Sequence, residues 1–194
     1  MLNELKFAEE GYFVEIGALD GLLGSNTLFL ETDFNWRGIL VEPSRKHYLN
    51  LCRPRNRNIL DNRAVFSTSG QKLLFNETFT LGLSTLDSFS NSDGWDRKSE
   101  EKYLVETVTL VDLLVQNKSP KRINYLSLDT EGSEFEILKN FDFGLFFIDI
   151  ITVEHNFTES RDDIHKLLNM KGFERKYENI SSFDDWYVNK RLLT

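Results

Sequence analysis

Carboxylates recur in this chain at the ends of apolar runs, the positions where an α/β protein does its chemistry. The run Tyr12-Phe13-Val14-Glu15-Ile16-Gly17-Ala18-Leu19-Asp20-Gly21 joins an apolar strand to a glycine turn, with acids in and beside the turn. Gly17 and Gly21 permit positive φ and a close backbone approach to a ligand, while Glu15 and Asp20 offer acceptors for an amine or for hydroxyls. The pattern returns at Gly38-Ile39-Leu40-Val41-Glu42-Pro43, at Leu128-Asp129 with Glu131 following, and at Glu154-His155-Asn156. A surface helix scatters its acids, whereas carboxylates at successive strand ends converge on one crevice at the carboxyl edge of a parallel sheet.

The spacing disfavours two common ligands, leaving a nicotinamide-dependent dehydrogenase only as a weaker third reading. A dinucleotide fingerprint needs G-x-G-x-x-G, but the glycines here are Gly17, Gly21 and Gly24. A phosphate loop needs G-x-x-x-x-G-K-[ST], and Gly24 is followed by Ser25-Asn26-Thr27. Acceptors in place of phosphate donors favour S-adenosylmethionine, whose bound end is an amino acid and a ribose. Glu42 lies 25 positions after Gly17, close to where a doubly wound sheet brings an acid to ribose hydroxyls. An ordinary strand-to-helix turn, and a carboxylate favoured by a helix dipole ahead of Pro43, would use the same residue types.

The composition of the 194 residues, 40% hydrophobic and 28% charged with 3 prolines, fits one domain over 1–194 that buries a core without staples. The lone Cys52 suits a reducing compartment, and a cytoplasmic protein is expected. Met1-Leu2-Asn3-Glu4-Leu5-Lys6 has no apolar signal core, and the most apolar later stretch, Leu145 to Val153, is interrupted by Asp149, so no membrane span is expected. A net charge of -8 opposes an extended grip on nucleic acid. Arg45, Lys46, Arg53, Arg55, Arg57 and Arg63 are the local exception, either meeting an anionic substrate or forming a solvated face.

Strand and helix patterns alternate, which reads as α/β. Strands are expected at Tyr12–Ile16, Gly38–Val41, Asn58–Phe66, Gln71–Asn76, Glu106–Leu110, Ile123–Asp129 and Phe146–Val153, with a closing hairpin over Phe173–Asn179 and Trp186–Asn189. Helices should start at Ser25, Pro43-Ser44, Val111, the capping box Ser133-x-x-Glu136, and Ser160-x-x-Asp163, the last ended by Gly172. The polar stretch from Ser84 to Glu100 is expected to be a mobile loop that acts as a lid.

The phrases FVEIGALDG, SNTLFLE, W-R-GILVEP, NRAV, VTLVDLL, INYLSLDTEGSEFEILK and ITVEHN, in this order, resemble the FkbM family of S-adenosylmethionine-dependent methyltransferases. The resemblance implies a class I methyltransferase fold, a Rossmann-like three-layer sandwich with a mostly parallel seven-stranded sheet and an antiparallel C-terminal hairpin. It further implies that Glu15, Gly17 and Asp20 line the methionine part of the cofactor, with Ala18, Gly21, Ser25 and Asn26 beside them. Glu42, with Pro43, would take the ribose; Arg63 and Ala64 would lie by the adenine; Asp129, Glu131 and Gly132 would close the pocket near the sulfonium.

The family's usual reaction implies O-methylation of a hydroxyl on a sugar, glycan or glycosylated metabolite, with S-adenosylhomocysteine as product. A neutral alcohol needs a base within hydrogen-bond reach. Asp129, Glu131, Glu154 and His155 are the candidates, with His155 and Asp129 foremost. A strand-end histidine is also often only a structural hydrogen-bonding group, and His47 and His165 read as surface residues on helices. Asp129, Glu131 and Glu154 suit a hard divalent cation, but cofactor binding explains the same residues and no metal is expected; no Cys/His spacing suggests zinc. The rivals are a methyltransferase for a nucleic-acid hydroxyl or small metabolite, and a non-catalytic cofactor-binding relic.

Overall fold

The computed structural model describes residues 3–193; Met1, Leu2 and Thr194 of the expected N-terminal and domain boundaries lie outside it. The strands and helices are, in chain order, β1 (Tyr12–Ile16), α1 (Leu28–Phe34), β2 (Arg37–Val41), α2 (Arg45–Leu51), β3 (Ile59–Asp61), β4 (Ala64–Val65), β5 (Lys72–Thr78), β6 (Thr85–Leu86) and β7 (Ser99–Val108). They continue as α3 (Leu110–Gln116), β8 (Arg122–Leu128), α4 (Glu134–Lys139), β9 (Phe147–Glu154), α5 (Ser160–Met170), β10 (Phe173–Lys176) and β11 (Asp184–Asn189).

The main sheet has seven strands in the order β10-β11-β9-β8-β1-β2-β3. All its pairings from β3 to β9 are parallel, and β11 runs antiparallel to both β9 and β10. Because side chains alternate across a strand, each central strand feeds two cores. Val14 and Ile16 pack with Leu113, Ile137 and Leu168, so α3, α4 and α5 cover one face. Phe13 packs with Leu30, Trp36 and Leu51, so α1 and α2 cover the other. The three-layer sandwich follows from that division.

A second sheet, β4-β7-β5-β6, was not legible as a sheet. The expected strand Asn58–Phe66 is broken at Arg63, whose N–H bonds Asp61 Oδ1 at 2.9 Å; β3 before the turn joins the main sheet and β4 after it joins the second. β7 is much longer than the expected Glu106–Leu110, because its polar first half, from Ser99, pairs with β5. Phe75, Leu86, Tyr103 and Val105 form the small core of this sheet.

The stretch from Ser84 to Glu100 is a pinned strap rather than a mobile loop. Thr85 Oγ1 bonds the carbonyls of Thr130 and Glu131 at 3.1 Å each, and Arg97 is buried against Asp93 and Glu131. Helix starts also differ from expectation. Ser133 makes no cap; Glu134 Oε1 instead accepts from Thr130 N at 2.7 Å, which holds the turn before α4. Ser160 lies inside α5, whose cap position is Glu159 and has no side-chain bond. Ser25 does serve α1 from a distance, its Oγ accepting from Thr27 N and Leu28 N.

Candidate active site

The chain leaves β1 for β2 on one side and reaches β8 on the other, so the strand order reverses between β1 and β8, where ligands lie in such sheets. The end of β1 is stitched on both sides: Gly17 N and Ala18 N donate to Val41 O at 3.0 Å, and Asp129 N donates to Ile16 O at 3.0 Å. Gly17 has φ +84, and a Cβ there would stand 1.8 Å from Asp129 O. Only glycine fits this crossing. Above it opens a cavity of about 310 Å³. Ile16 to Leu19, Glu42 and Pro43 line it from the main sheet, Ala64, Val65, Phe75 and Leu86 from the second sheet, and Asp129, Thr130, Glu131 and Ser133 from the β8–α4 turn.

Glu42 stands at the floor of this cavity, with Oε2 accepting from Leu19 N and Oε1 from Ser44 N, both at 2.8 Å. Burial pushes its carboxyl up to about 7, with Glu77 adding to the rise and the two amides opposing it. An acid so fixed keeps its remaining lone pairs for hydroxyl donors from the cavity side.

At the opposite end Asp129, Glu131 and Glu154 bring one oxygen each within 4.8 Å of one another. Burial raises Asp129 well above the carboxylate range, with Glu131 and Glu134 adding to it, and pushes Glu154 up to about 11, with Asp129 the next cause. The two side chains are hydrogen-bonded and share a proton, and Asp129 is the one that lines the cavity. Burial also lifts Glu131 to about 7, opposed by Arg97, whose Nη2 lies 2.5 Å from Glu131 Oε2. The three oxygens have the character of hard-cation ligands, and Arg97 together with the shared proton offsets the same negative charge from within the protein.

The model of the methyltransferase FkbM domain matches residues 15–186. The chain belongs to the FkbM methyltransferase family. Its fold is also that of methyltransferase FkbM from Methylobacillus flagellatus KT, with a TM-score of 0.58 at 14% identity over 93% of this chain and 43% of that one. This FkbM domain therefore spans less than half the length of that relative. Precorrin-6y C5,15-methyltransferase from Geobacter metallireducens GS-15 aligns over 96% of this chain and 83% of that one, at 10% identity and a TM-score of 0.48. No curated protein matches the sequence.

Within the FkbM domain, Gly17, Ala18, Ser25, Glu42, Pro43, Ala64, Asp129 and Glu131 meet at the cavity, and several other expected site residues do not. Glu15 lies beneath it; its carboxylate accepts from Asn26 N (2.8 Å), Ser25 Oγ (3.1 Å) and Thr27 Oγ1 (2.5 Å), leaving it to shape the turn. Asp20 Oδ1 caps the amides of Leu22 and Leu23. Gly21 packs on Leu51 and Arg55, and Gly132 lies against Ser92 of the strap. Asn26 bonds Ser127, and Arg63 is paired with Asp61 at 2.6 Å. Glu154 reaches the site only through Asp129. His155 lies outside the cavity: Nδ1 accepts from Phe157 N at 3.0 Å, and Nε2 faces Asp185 at 3.7 Å. Burial pulls its pKa down, with Asp185 opposing.

Sequence reading missed the roof of the site. Phe75, Leu86 and the β5–β6 turn Leu81-Gly82-Leu83-Ser84 line the cavity, and the apolar Leu-Gly-Leu within a polar stretch was the available signal. It also missed His47, which is buried and lines the cavity rather than facing solvent. The arginine cluster disperses in three dimensions: Arg55 is fully buried and Arg45 stacks on Tyr103 at 3.9 Å.

Proposed function

We propose that this FkbM domain is an S-adenosylmethionine-dependent O-methyltransferase whose acceptor is a hydroxyl of a sugar, glycan or glycosylated metabolite. The observation that carries the reading is the polarity of one cavity, a hydroxyl-accepting carboxylate at one end and a proton-sharing carboxylate at the other. The residues fit the cofactor. Gly17 leaves backbone room, Glu42 offers acceptors to the ribose, and Ala64, Val65, Phe75 and Leu86 make an apolar slot of the kind a flat base occupies. When bound, the cofactor supplies an electrophilic methyl group on sulfur.

Asp129 is the base we assign. Its carboxyl lines the cavity, and a proton shared with Glu154 keeps the pair from carrying two adjacent charges. Its raised basicity favours uptake of a hydroxyl proton. Glu131, held by Arg97 and by Asn156 Nδ2 at 3.2 Å, positions the same wall. No step in this reading needs a metal.

The acceptor class is supported by the surface just beyond Asn156. Trp95, Phe157 and Phe183 are exposed there, with Trp95 and Phe157 each edge-on to Phe183 at 6.2 and 5.8 Å. Rings of this kind stack on the apolar faces of sugars. A nucleic-acid hydroxyl is disfavoured by the net charge of -8 and by the dispersed arginines. A cytoplasmic setting belongs to the same reading, supported by the single cysteine.

Calorimetric titration of S-adenosylmethionine and S-adenosylhomocysteine into the wild type and Glu42→Ala tests the cofactor. Saturable binding that weakens about tenfold or more in the variant is expected, as for the loss of charged hydrogen bonds; no binding by the folded wild type would overturn it. Transfer of labelled methyl to a panel of glycosides, with none to RNA, is the outcome expected for the acceptor.

A further inference from the structure

The roof and floor of the cavity bring together one group that neither the fold nor the proposed mechanism uses. His47 is only 7% exposed and lines the cavity. Its backbone N–H bonds Ser44 Oγ at 3.2 Å, and its ring forms no side-chain hydrogen bond among the described residues. An imidazole that opens onto a cavity with no protein group on its nitrogens keeps both for a ligand. The other buried histidine, His155, has its Nδ1 taken by Phe157 N.

Its placement says which part of a ligand it would meet. Glu42 Oε1 accepts from Ser44 N at 2.8 Å while Ser44 Oγ accepts from His47 N, so Glu42 and His47 flank the same residue and both line the one cavity. Glu77, an acid whose charge acts on both, has its carboxylate engaged by the Tyr103 OH. The charges acting on the ring are Glu77, Lys46, Asp20 and Glu100; burial outweighs them and lowers its pKa. A neutral imidazole carries one donor and one acceptor, which complements a pair of adjacent hydroxyls already accepted at one side by a carboxylate.

We propose that His47 is a recognition residue for the nucleoside end of the ligand, hydrogen-bonding one of the two vicinal ribose hydroxyls while Glu42 accepts from the other. This rests on the cavity being the S-adenosylmethionine site. Donor and acceptor then divide between two side chains set on one turn, and the ring that opens onto the cavity in the free protein is bonded in the complex.

The test is calorimetric titration of S-adenosylhomocysteine and its 2′-deoxy and 3′-deoxy analogues into wild type, His47→Ala and His47→Gln, with ring nitrogen NMR of the wild type. The protein has 3 histidines, so the spectrum is simple. Expected are a loss of about tenfold for the parent ligand in His47→Ala, partial recovery in His47→Gln, and removal of the penalty for one deoxy analogue. On saturation the His47 ring nitrogens should shift while those of His155 and His165 stay in place. An unchanged deoxy penalty in His47→Ala, or a His47 ring that does not move on saturation of the wild type, would overturn the assignment while leaving the cofactor reading intact; the NMR arm needs no variant to fold. Absence of any binding heat in the wild type would instead bring down the cofactor reading and this proposal with it.

Discussion

At the scale of single residues the protein separates carboxylates that line the cavity from carboxylates that build. Asp129 lines the cavity and shares a proton with Glu154, whereas Glu15 is saturated by three donors of its own turn. Asp129→Asn should therefore lower kcat by about 10²-fold or more with the cofactor Kd little changed, the size expected for a lost general base, and single-turnover methyl transfer would show it. Glu154 makes an opposite prediction. Its pKa rises from 4.5 to about 11 on folding, so the folded state favours the protonated acid. That contribution to stability is present below 4.5 and is lost progressively as pH rises toward 11. Glu154→Gln mimics the protonated form, so its melting temperature should match wild type near pH 4 and exceed it at pH 8. Melting curves across that range are the check.

At the scale of elements the strap between β6 and β7 is held by one buried cation. Arg97 bridges Asp93 of the strap to Glu131 of the β8–α4 turn, and Gly132 is pressed against Ser92. Removing the cation leaves two acids in a poorly solvated place, a change that costs about 3–5 kcal/mol. Arg97→Met should lower the melting temperature by roughly 6–20 °C, taking about 2–4 °C per kcal/mol for a chain of this size. It should also open the strap to proteolysis between Phe89 and Lys98. Unchanged cleavage would mean that Thr85 and the Ser92 contact hold the strap without the ion pair.

At the scale of the whole molecule Arg55 ties the α1–α2 face to the cavity. Fully buried, it bonds Glu31 at 2.6 Å, Gly21 O at 2.7 Å, Thr27 Oγ1 at 2.8 Å and Ser25 Oγ at 2.9 Å, with Glu15 at 4.0 Å. One guanidinium thus joins β1, the glycine turn, α1 and the end of α2. Arg55→Met keeps much of the volume but removes the buried cation that pairs with Glu31 and lies beside Glu15, and a loss of about 3–5 kcal/mol is expected, read as a lower denaturant midpoint. Ligand binding should weaken as well, because Ser25 lines the cavity.

The main sheet was legible because its strands are continuous apolar runs buried on both faces, with glycine and acids at their ends. That pattern depends on local sequence alone, and so did the positions of Gly17, Glu42 and Asp129. The second sheet was not legible, since Ser99 to Lys102 are polar and become a strand only when β5 supplies the hydrogen-bonding partner. The same dependence on distant partners decided the roles of individual residues. His47 reads as a surface group because a polar residue on a short helix usually faces water, and Arg55 reads only as one of a basic cluster, meeting an anion or solvent; the packing of α2 and the turn after it against β1 and the cavity buries both. His155 sits at a strand end as expected, but the antiparallel return of β11 brings Asp185 to its Nε2 and leaves the cavity to Asp129. The sequence by itself determined the doubly wound sheet and the acids at its carboxyl edge, because alternation and turn chemistry are short-range; which of those acids lines the cavity was decided by the tertiary structure, because it depends on hydrogen-bond partners brought from elsewhere in the chain.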